Sequence, residues 1–522
     1  MIHLKTHNRF TAELPADPED TNETRRVKNT CFSYVLPRIP SNPTLVHASE
    51  EVSSLIGLDL ADLQSQEFLN IFSGKEVLSH AKSYAMCYAG HQFGNWAGQL
   101  GDGRAINLTE VEHDNKSFTL QLKGAGKTPY SRTADGLAVL RSSVREYLCA
   151  EAMFHLGVPT TRSLSLMLSG DSVLRDMLYD GNAEYEKGAI VSRVAPSFIR
   201  FGNFEMLAAR NELTNLKQLT DFTIKYYFPE IKGDSKQSYI QFFQFVADST
   251  RKMILEWQRV GFVHGVMNTD NMSIHGITID YGPYGWLEDY DPNWTPNTTD
   301  RQNKRYRFGN QPSVAQWNLY QLANSLFPLI NDAATLEKIL ESFLEDYQSE
   351  YKVMMFSKLG LFTSSEDSSK FIKNLEDNLQ LSETDMTIFF RNLNRISKTD
   401  SVNECFEVIR DSFYKPEEIK ERILESWLSW FAEYLTFLQS ETLSDAERIL
   451  KMNLINPKYV LRNYMSQLSI DAADQGDYSL IAELFNVLRK PYEEQPEFEK
   501  WFAKRPDWAR SKVGCSMLSC SS

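Results

Sequence analysis

From about residue 315 onward apolar side chains recur at i, i+3 and i+4. Leu336, Ile339, Leu340, Phe343 and Leu344 form one such stripe, and Ile423, Leu424, Trp427, Leu428, Trp430, Phe431, Tyr434, Leu435 and Leu438 form another. That period predicts amphipathic helices with one face in a core. The polar stretches Ser364–Ser369 and Ser397–Asn403 read as loops between them. Upstream the period changes. Phe118, Leu120 and Leu122 alternate with Thr119, Gln121 and Lys123, the pattern of a half-buried strand, and Gly124-Ala125-Gly126 ends it. Val139, Leu140, Val144, Tyr147, Leu148 and Ala152 then follow helical spacing until Gly157-Val158-Pro159. Ile277-Thr278-Ile279 reads as a short strand entering Asp280-Tyr281-Gly282. Residues 1–80, with Pro37, Pro40 and Pro43, read as an irregular N-terminal segment. Strands first and helices later predict an α+β molecule with a sheet-rich lobe and a helical lobe.

Composition narrows the class. The chain has 522 residues, 42% hydrophobic and 24% charged, which is ordinary globular usage and excludes disordered and fibrous classes. At roughly 150 residues per domain, two to four core units are expected. A formal charge of −14 argues against a broad nucleic-acid-binding surface, although it leaves room for one local basic groove. Six cysteines fit a reducing compartment better than a disulfide scaffold. No apolar run approaches the ~18 residues of a membrane span, and Met1-Ile2-His3-Leu4-Lys5 lacks the order of a secretory signal. A cytoplasmic protein, without membrane or nucleic-acid partners and monomeric, is the expectation.

Four segments carry candidate chemistry. Gly98-Gln99-Leu100-Gly101-Asp102-Gly103-Arg104 spaces glycines so that backbone N–H groups can approach a phosphate, and Arg104 adds charge; a surface turn collects glycines as well. Lys123 ends its strand and Glu146 lies on the next helix, the order in which kinase-type sites set a phosphate-binding lysine with a glutamate. His264-Gly265-Val266-Met267-Asn268-Thr269-Asp270-Asn271 spaces His and Asn as a kinase catalytic loop does, and Asp280-Tyr281-Gly282 follows where a metal-binding D-F-G would stand. A side-chain carbonyl with a carboxylate suits Mg²⁺. The aspartate of such a loop is replaced by Val266, which accepts no proton. Either the chain binds nucleotide without catalysis, or another carboxylate serves, with Asp270 the candidate. Finally, Arg193 and Arg200 stand seven apart in an apolar segment, where an arginine either snorkels to the surface or binds an anion.

At these residues the sequence resembles the selenoprotein O family, protein adenylyltransferases of kinase-like fold. The resemblance is carried by Tyr88-Ala89-Gly90-His91-Gln92-Phe93-Gly94, Gln99 to Arg104, Gln121 to Arg132, Ser192 to Gly202, His264 to Ser273, Asp280 to Pro283, and the ending Ser519-Cys520-Ser521-Ser522. It implies a bilobal fold with a mixed N-lobe and a large helical C-lobe, divided as an N-terminal extension (1–80), an N-lobe with nucleotide-binding elements (81–190), a catalytic core (191–320) and a helical C-lobe with tail (321–522). It further implies ATP bound in reverse orientation, so that AMP goes to a Ser, Thr or Tyr hydroxyl of a protein and pyrophosphate leaves. By position, Gly101, Gly103, Arg104, Asp135 and Gly136 would contact nucleotide, Lys123 with Glu146 would hold phosphate, and Arg193 and Arg200 would bind the far phosphates. Asp270 would accept the proton, and Asn271 with Asp280 would hold Mg²⁺ or Mn²⁺. The alternatives are a silent nucleotide-binding pseudokinase scaffold and an ordinary phosphotransferase. Some relatives carry selenocysteine where this chain has Cys520, and many bacterial ones have a cysteine in the loop that here reads Pro296-Asn297-Thr298. The loop string here holds no cysteine to pair with the tail, which leaves Cys515 as a partner for Cys520 or both thiols in a free tail.

Overall fold

The computed structural model describes residues 2–78, 80–177, 181–362, 368–515 and 517–519, with only the backbone of Ser368. The sheet comes from the first 195 residues. Its strands are β1 (Thr6–His7), β2 (Phe32–Tyr34), β3 (Thr44–Ala48), β4 (Tyr84–Met86), β7 (Ala105–His113), β8 (Lys116–Lys123), β9 (Ala138–Val139), β10 (Arg162–Asp176) and β11 (Ala183–Ala195). They run in the order β2-β4-β7-β8-β11-β10-β3, with β1 added to β7 and β9 to β11. All these pairings are antiparallel. Two small ribbons stand apart, β5 (His91–Gln92) with β6 (Asn95–Trp96), and β12 (Phe262–Val263) with β13 (Gly285–Trp286).

The strand expected at Phe118–Lys123 forms, but it is buried on both faces. Leu120 and Leu122 are buried, and so are Thr119, Gln121 and Lys123. Residues 1–80 explain the first face. Rather than an irregular segment, they supply three strands and the helices Glu50–Leu55, Leu60–Leu63 and Gln66–Phe72. Phe72 accepts a hydrogen bond from Ser192 Oγ of β11 at 3.2 Å, which seats the last of these helices on the sheet. On the other face a polar row crosses three strands, because the register sets Asn107 opposite Gln121 and Gln121 opposite Arg193. Gln121 Nε2 donates to Asn107 Oδ1 at 2.9 Å and Gln121 Oε1 accepts from Arg193. Buried polar groups of this kind persist only when partnered.

The helix predicted from Val139 spans Leu140–His155 and stops where expected, with Gly157 at φ +80. It packs on β10 and β11 and brings Glu146 over the polar row. Helix Lys236–Val260 ends at Gly261, which adopts the left-handed conformation. The chain then enters β12, whose pairing with β13 sets Phe262 opposite Trp286. That ribbon holds the start of the His264 loop beside the end of the Asp280 loop. Ile277–Ile279 is not a strand. Thr278 alone makes bridges, to Thr160 and Met272. Its N–H reaches Pro159 O at 2.9 Å, and its Oγ accepts from the Trp257 indole at 2.9 Å. Tertiary hydrogen bonds thus occupy the groups that a ladder would need.

Both helical stripes form as expected, over Ala333–Lys358 and Glu421–Ser440. The second supplies Trp427, Trp430, Phe431 and Tyr434 to a separate C-terminal core, where Trp430 stacks on Phe371 at 5.1 Å. The expected loop at Ser397 is a turn, and helix Val402–Ile409 begins before Asn403. Most of Ser364–Ser369 lies outside the described residues. Arg462 joins this region to the segment after β13, donating to Asp385 Oδ2 and Oδ1 at 2.8 and 2.9 Å and pairing with Glu288 at 2.5 Å. Among the described residues no helix is long and apolar enough to cross a membrane.

Candidate active site

A cleft of about 430 Å³ lies over the polar row of the sheet. Its wall includes Gly101, Gly103, Arg104, Lys123, Asp135, Gly136, Arg193, Arg200, Asp270, Asn271 and Asp280. Glu146 stands just behind, in contact with Lys123. The candidate nucleotide, catalytic and metal residues named from the sequence are therefore in or against one cavity, although their segments are far apart in the chain.

At the floor, Lys123 Nζ pairs with Glu146 Oε2 at 2.6 Å and, more closely still, with Asp280. Arg193 Nη1 donates to Glu146 Oε1 at 2.9 Å and to Ile279 O at 3.0 Å, and stands 3.6 Å from Asp280. Burial lowers the Lys123 pKa, and Arg104 and Arg193 act in the same direction, while Asp280 and Glu146 oppose them. For Asp280 burial acts to raise the pKa, but Lys123, Arg193, Arg104 and Arg200 outweigh it and hold the carboxyl far below its usual range. Asp280 is thus ionised at any working pH. Arg104 has no ion pair to a carboxylate among the described residues and projects from the start of β7. Glu146→Ala leaves Lys123 and Arg193 with Asp280 as their shared counterion. Breaking a buried pair in this way costs about 3–5 kcal/mol, so a urea melt should show a matching loss of stability in the ligand-free protein.

Arg193 and Arg200 are both buried, which settles the choice left open for them against the surface. Arg200 Nη1 donates to Asp270 O at 2.8 Å, and Nη2 lies 3.8 Å from Asp102 Oδ1, with the guanidinium 4.8 Å from the Tyr88 ring centre. Arg200 also precedes helix Phe201–Ala209, where its N–H is held by Asn203 at 2.8 Å. Asp102 is a residue the sequence reading passed over. Its Oδ2 accepts from Met86 N–H at 2.9 Å, tying the glycine loop to β4.

The glycines are required by packing. A side chain at Gly101 would lie 2.8 Å from Met86 O, with φ at +136, and one at Gly136 would lie 2.1 Å from Gly126 O. Both positions let backbone line the cleft. Asp135 beside it binds Arg175 at 2.7 and 2.9 Å. Burial acts to raise its pKa, and the hydrogen bonds from Arg175 and Leu137 N–H lower it further than that. Arg175 is a second residue the sequence reading missed.

The catalytic-type loop turns through a single 3₁₀ turn, Thr269–Asn271. Asn271 Nδ2 donates to Val266 O at 2.9 Å, which leaves the amide oxygen for another partner. His264 is buried against Trp257, and Nδ1 accepts Val266 N–H at 3.3 Å. Burial brings its pKa down to about 4, so it is a neutral strut of the loop. Asp270 is buried too. Gln92 Nε2 donates to Oδ2 at 3.3 Å, and Oδ1 has no hydrogen-bond partner among the described residues. Burial raises its pKa to about 6, against the lowering effects of Gln92 and Arg200. The β5–β6 ribbon supplies this contact. His91 N–H reaches Thr269 Oγ at 2.7 Å, Phe93 N–H reaches Asn268 Oδ1 at 3.2 Å, and the His91 ring binds Glu205 at 2.5 Å. Nothing in residue spacing pointed to this ribbon; the polar dipeptide His91-Gln92 among small and aromatic residues is its one sequence signal.

The donor set favours a hard cation shared with a phosphate ligand. Asn271 and Asp280 offer oxygen only, and among the described residues no group of three or more His, Cys, Asp or Glu could hold a metal. Mg²⁺ is commonly held by one or two carboxylates with phosphates and water completing its shell. The residues present fit that case.

A cleft combining buried cations, an ionised carboxylate and an unpartnered second carboxylate suits a phosphate-bearing ligand. Comparison with known proteins assigns its class. Residues 19–489 match the family model described as protein adenylyltransferase SelO. The chain is 73% identical over the whole of both chains to the protein nucleotidyltransferase YdiU of Flavobacterium johnsoniae. It is 53% identical to that of Rhodopirellula baltica, with 99% of each covered, and 50% identical to that of Aromatoleum aromaticum, with all of each covered. The chain belongs to the SelO family of protein adenylyltransferases, and it is an enzyme of the nucleotidyltransferase class that uses ATP.

The tail is docked. Leu518 O accepts from Thr298 N–H at 2.8 Å and Leu518 N–H donates to Pro296 O at 3.2 Å, while Asn297 Nδ2 holds Gly265 O at 3.0 Å. Cys515 is buried and burial pushes its thiol up to about 11, so it is a packed side chain and not a reactive tail thiol. Cys520 lies outside the described residues.

Proposed function

We propose that the enzyme binds Mg²⁺–ATP between a kinase-like N-lobe and helical C-lobe and moves AMP to a Ser, Thr or Tyr hydroxyl of a protein. In this reading residues 1–80 are an extension on the core, 81–190 the N-lobe, 191–320 the catalytic core and 321–522 the helical C-lobe. Mn²⁺ is the alternative metal. The observation that carries the proposal is the gathering in one cleft of the paired cations Lys123 and Arg193, the unpartnered carboxylate oxygen of Asp270, and the glycine backbone of Gly101, Gly103 and Gly136.

Lys123, oriented by Glu146, and Arg193 with Arg200 take the β- and γ-phosphates at the floor. Gly101, Gly103, Arg104, Asp135 and Gly136 line the nucleoside side. That arrangement turns the α-phosphorus toward Asp270. Asn271 and Asp280 hold the metal, which when bound neutralises phosphate charge. Asp270 accepts the proton of the acceptor hydroxyl as that oxygen bonds to the α-phosphorus. The α–β bridging bond breaks, and its electrons leave with pyrophosphate, whose charge Lys123 and the arginines already face. Preset cations of this kind act where charge develops. Gln92 keeps Asp270 turned so that Oδ1 meets the acceptor.

A crystal structure with Mg²⁺ and a non-hydrolysable ATP analogue tests the orientation. The α-phosphate is expected nearest Asp270, with the γ-phosphate on Arg193 and Arg200. A γ-phosphate at Asp270 would support ordinary phosphotransfer instead.

A further inference from the structure

A second cavity, of about 510 Å³, adjoins the nucleotide cleft and shares Leu100, Tyr130 and Arg132 with it. Four arginines line it, Arg25, Arg26, Arg132 and Arg210, and no carboxylate does. In a chain of net charge −14 that is a local reversal of sign. Its walls are built deliberately. Arg25 N–H donates to Pro129 O at 3.2 Å and Thr24 Oγ to Arg132 O at 3.1 Å, so the N-terminal segment is laced to the 129–132 loop. Gln99 joins both sides, accepting from Val27 N–H at 3.0 Å and from Arg210 at 3.0 Å, and donating to Arg25 O at 2.9 Å.

The four arginines divide into two pairs. Arg25 is neutralised by Asp17 at 2.6 Å and Glu19 at 3.5 Å, and Arg210 is spent on Val27 O at 2.8 Å and on Gln99. Arg26 and Arg132 are exposed and make no ion pair among the described residues. Arg132 moreover sits at φ +55, an unfavourable conformation for a side chain of its size, at the boundary of the two cavities. The N-terminal segment and the loop thus present two unspent guanidinium forks, Arg26 and Arg132, beside apolar Leu100, Ala97 and Pro129.

We propose that this cavity is an acceptor subsite that binds an acidic segment of the protein substrate, with Glu or Asp side chains on Arg26 and Arg132 and apolar side chains between. The inference rests on the reading that a protein hydroxyl is the acceptor. A peptide suits the cavity better than a second nucleotide, because ATP phosphates already have Lys123, Arg193 and Arg200 at the cleft floor, whereas these arginines alternate with apolar wall. Planar guanidinium groups bind carboxylates bidentately, and a basic patch also speeds encounter with an acidic partner.

The probe is a fluorescein-labelled peptide of alternating Glu and Leu with a central Thr, titrated into full-length protein and followed by anisotropy, beside a peptide with Lys in place of Glu. The wild type should bind the acidic peptide and release it as salt is raised. Arg26→Glu, which lies outside the nucleotide cleft, should weaken that binding at least tenfold and improve binding of the Lys peptide, with ATP affinity unchanged. Unchanged binding of both peptides by Arg26→Glu overturns the proposal. Displacement of the acidic peptide by pyrophosphate in the presence of saturating ATP also overturns it, in favour of a phosphate site. AMP transfer is scored separately on the same peptides: wild type that binds yet labels no peptide with AMP refutes the acceptor reading alone, while the charge-swap result still decides the subsite.

Discussion

Asp270→Asn is expected to lower AMP transfer by about 10²–10⁴-fold, the usual contribution of a general base, while ATP still binds. The same substitution should stabilise the metal-free protein. Burial has raised the Asp270 pKa to about 6, above the roughly 3.9 of an unfolded aspartate. The native state therefore holds that proton more tightly than the unfolded state. Ionising Asp270 costs native stability as pH rises from about 4 through 6, and above that the cost is complete, about 2–3 kcal/mol at most at ~1.4 kcal/mol per pKa unit. Asparagine carries no such cost. Thermal melts in chelator at pH 8 should therefore show the variant above the wild type, with the gap closing near pH 4. A variant that loses activity and gains nothing at pH 8 would place the Asp270 carboxylate in a better-solvated setting than the one described. Retention of full transfer would remove it as the base.

Asp280→Ala should lower metal-dependent turnover by on the order of 10³-fold or more if, as proposed, Asp280 is a metal ligand that helps neutralise phosphate charge. Its effect on metal-free nucleotide has the opposite sign. Asp280 now sits among Lys123, Arg193, Arg104 and Arg200, and deleting it leaves those cations with less compensation. Glu146 still positions Lys123 at 2.6 Å. Isothermal titration in chelator should find ATP bound more tightly by the variant, whereas added Mg²⁺, expected to strengthen binding to the wild type, should do little for the variant. Equal loss of affinity with and without metal would mean that Asp280 organises the pocket and does not ligate.

The parts of this site that were legible in the sequence are those fixed by local order. Lys123 closes a strand, Glu146 lies on the helix that follows, and the His264 loop precedes Asp280-Tyr281-Gly282, so chain order alone predicted their meeting. The pairing of Arg193 with Gln121 depends on antiparallel register between β8 and β11, which spacing along one strand does not encode. The same register explains why Thr119, Gln121 and Lys123 looked solvent-facing and proved to be buried. Gln92 and Asp102 were not legible for a related reason: each meets the site through a residue distant in sequence, Gln92 through Asp270 and Asp102 through Arg200. The β-branched run at Ile277–Ile279 misled because strand propensity yields to tertiary hydrogen bonds when a segment has one neighbour to pair with.

The family resemblance supplied what no residue pattern did, the direction of the nucleotide. What the structure adds is that Lys123, Arg193 and Arg200 have their positions fixed by Glu146, Gln121 and Asp270 O without a ligand. Preorganised cations lose little by reorganisation when charge develops beside them.

Incubating the enzyme and a protein acceptor with Mg²⁺ and ATP labelled at either the α- or the γ-phosphorus distinguishes AMP transfer from phosphate transfer. Label from the α position should enter protein, with γ label recovered in pyrophosphate and none on the acceptor. Incorporation of γ label without α label would make the enzyme a phosphotransferase and rule out AMP transfer.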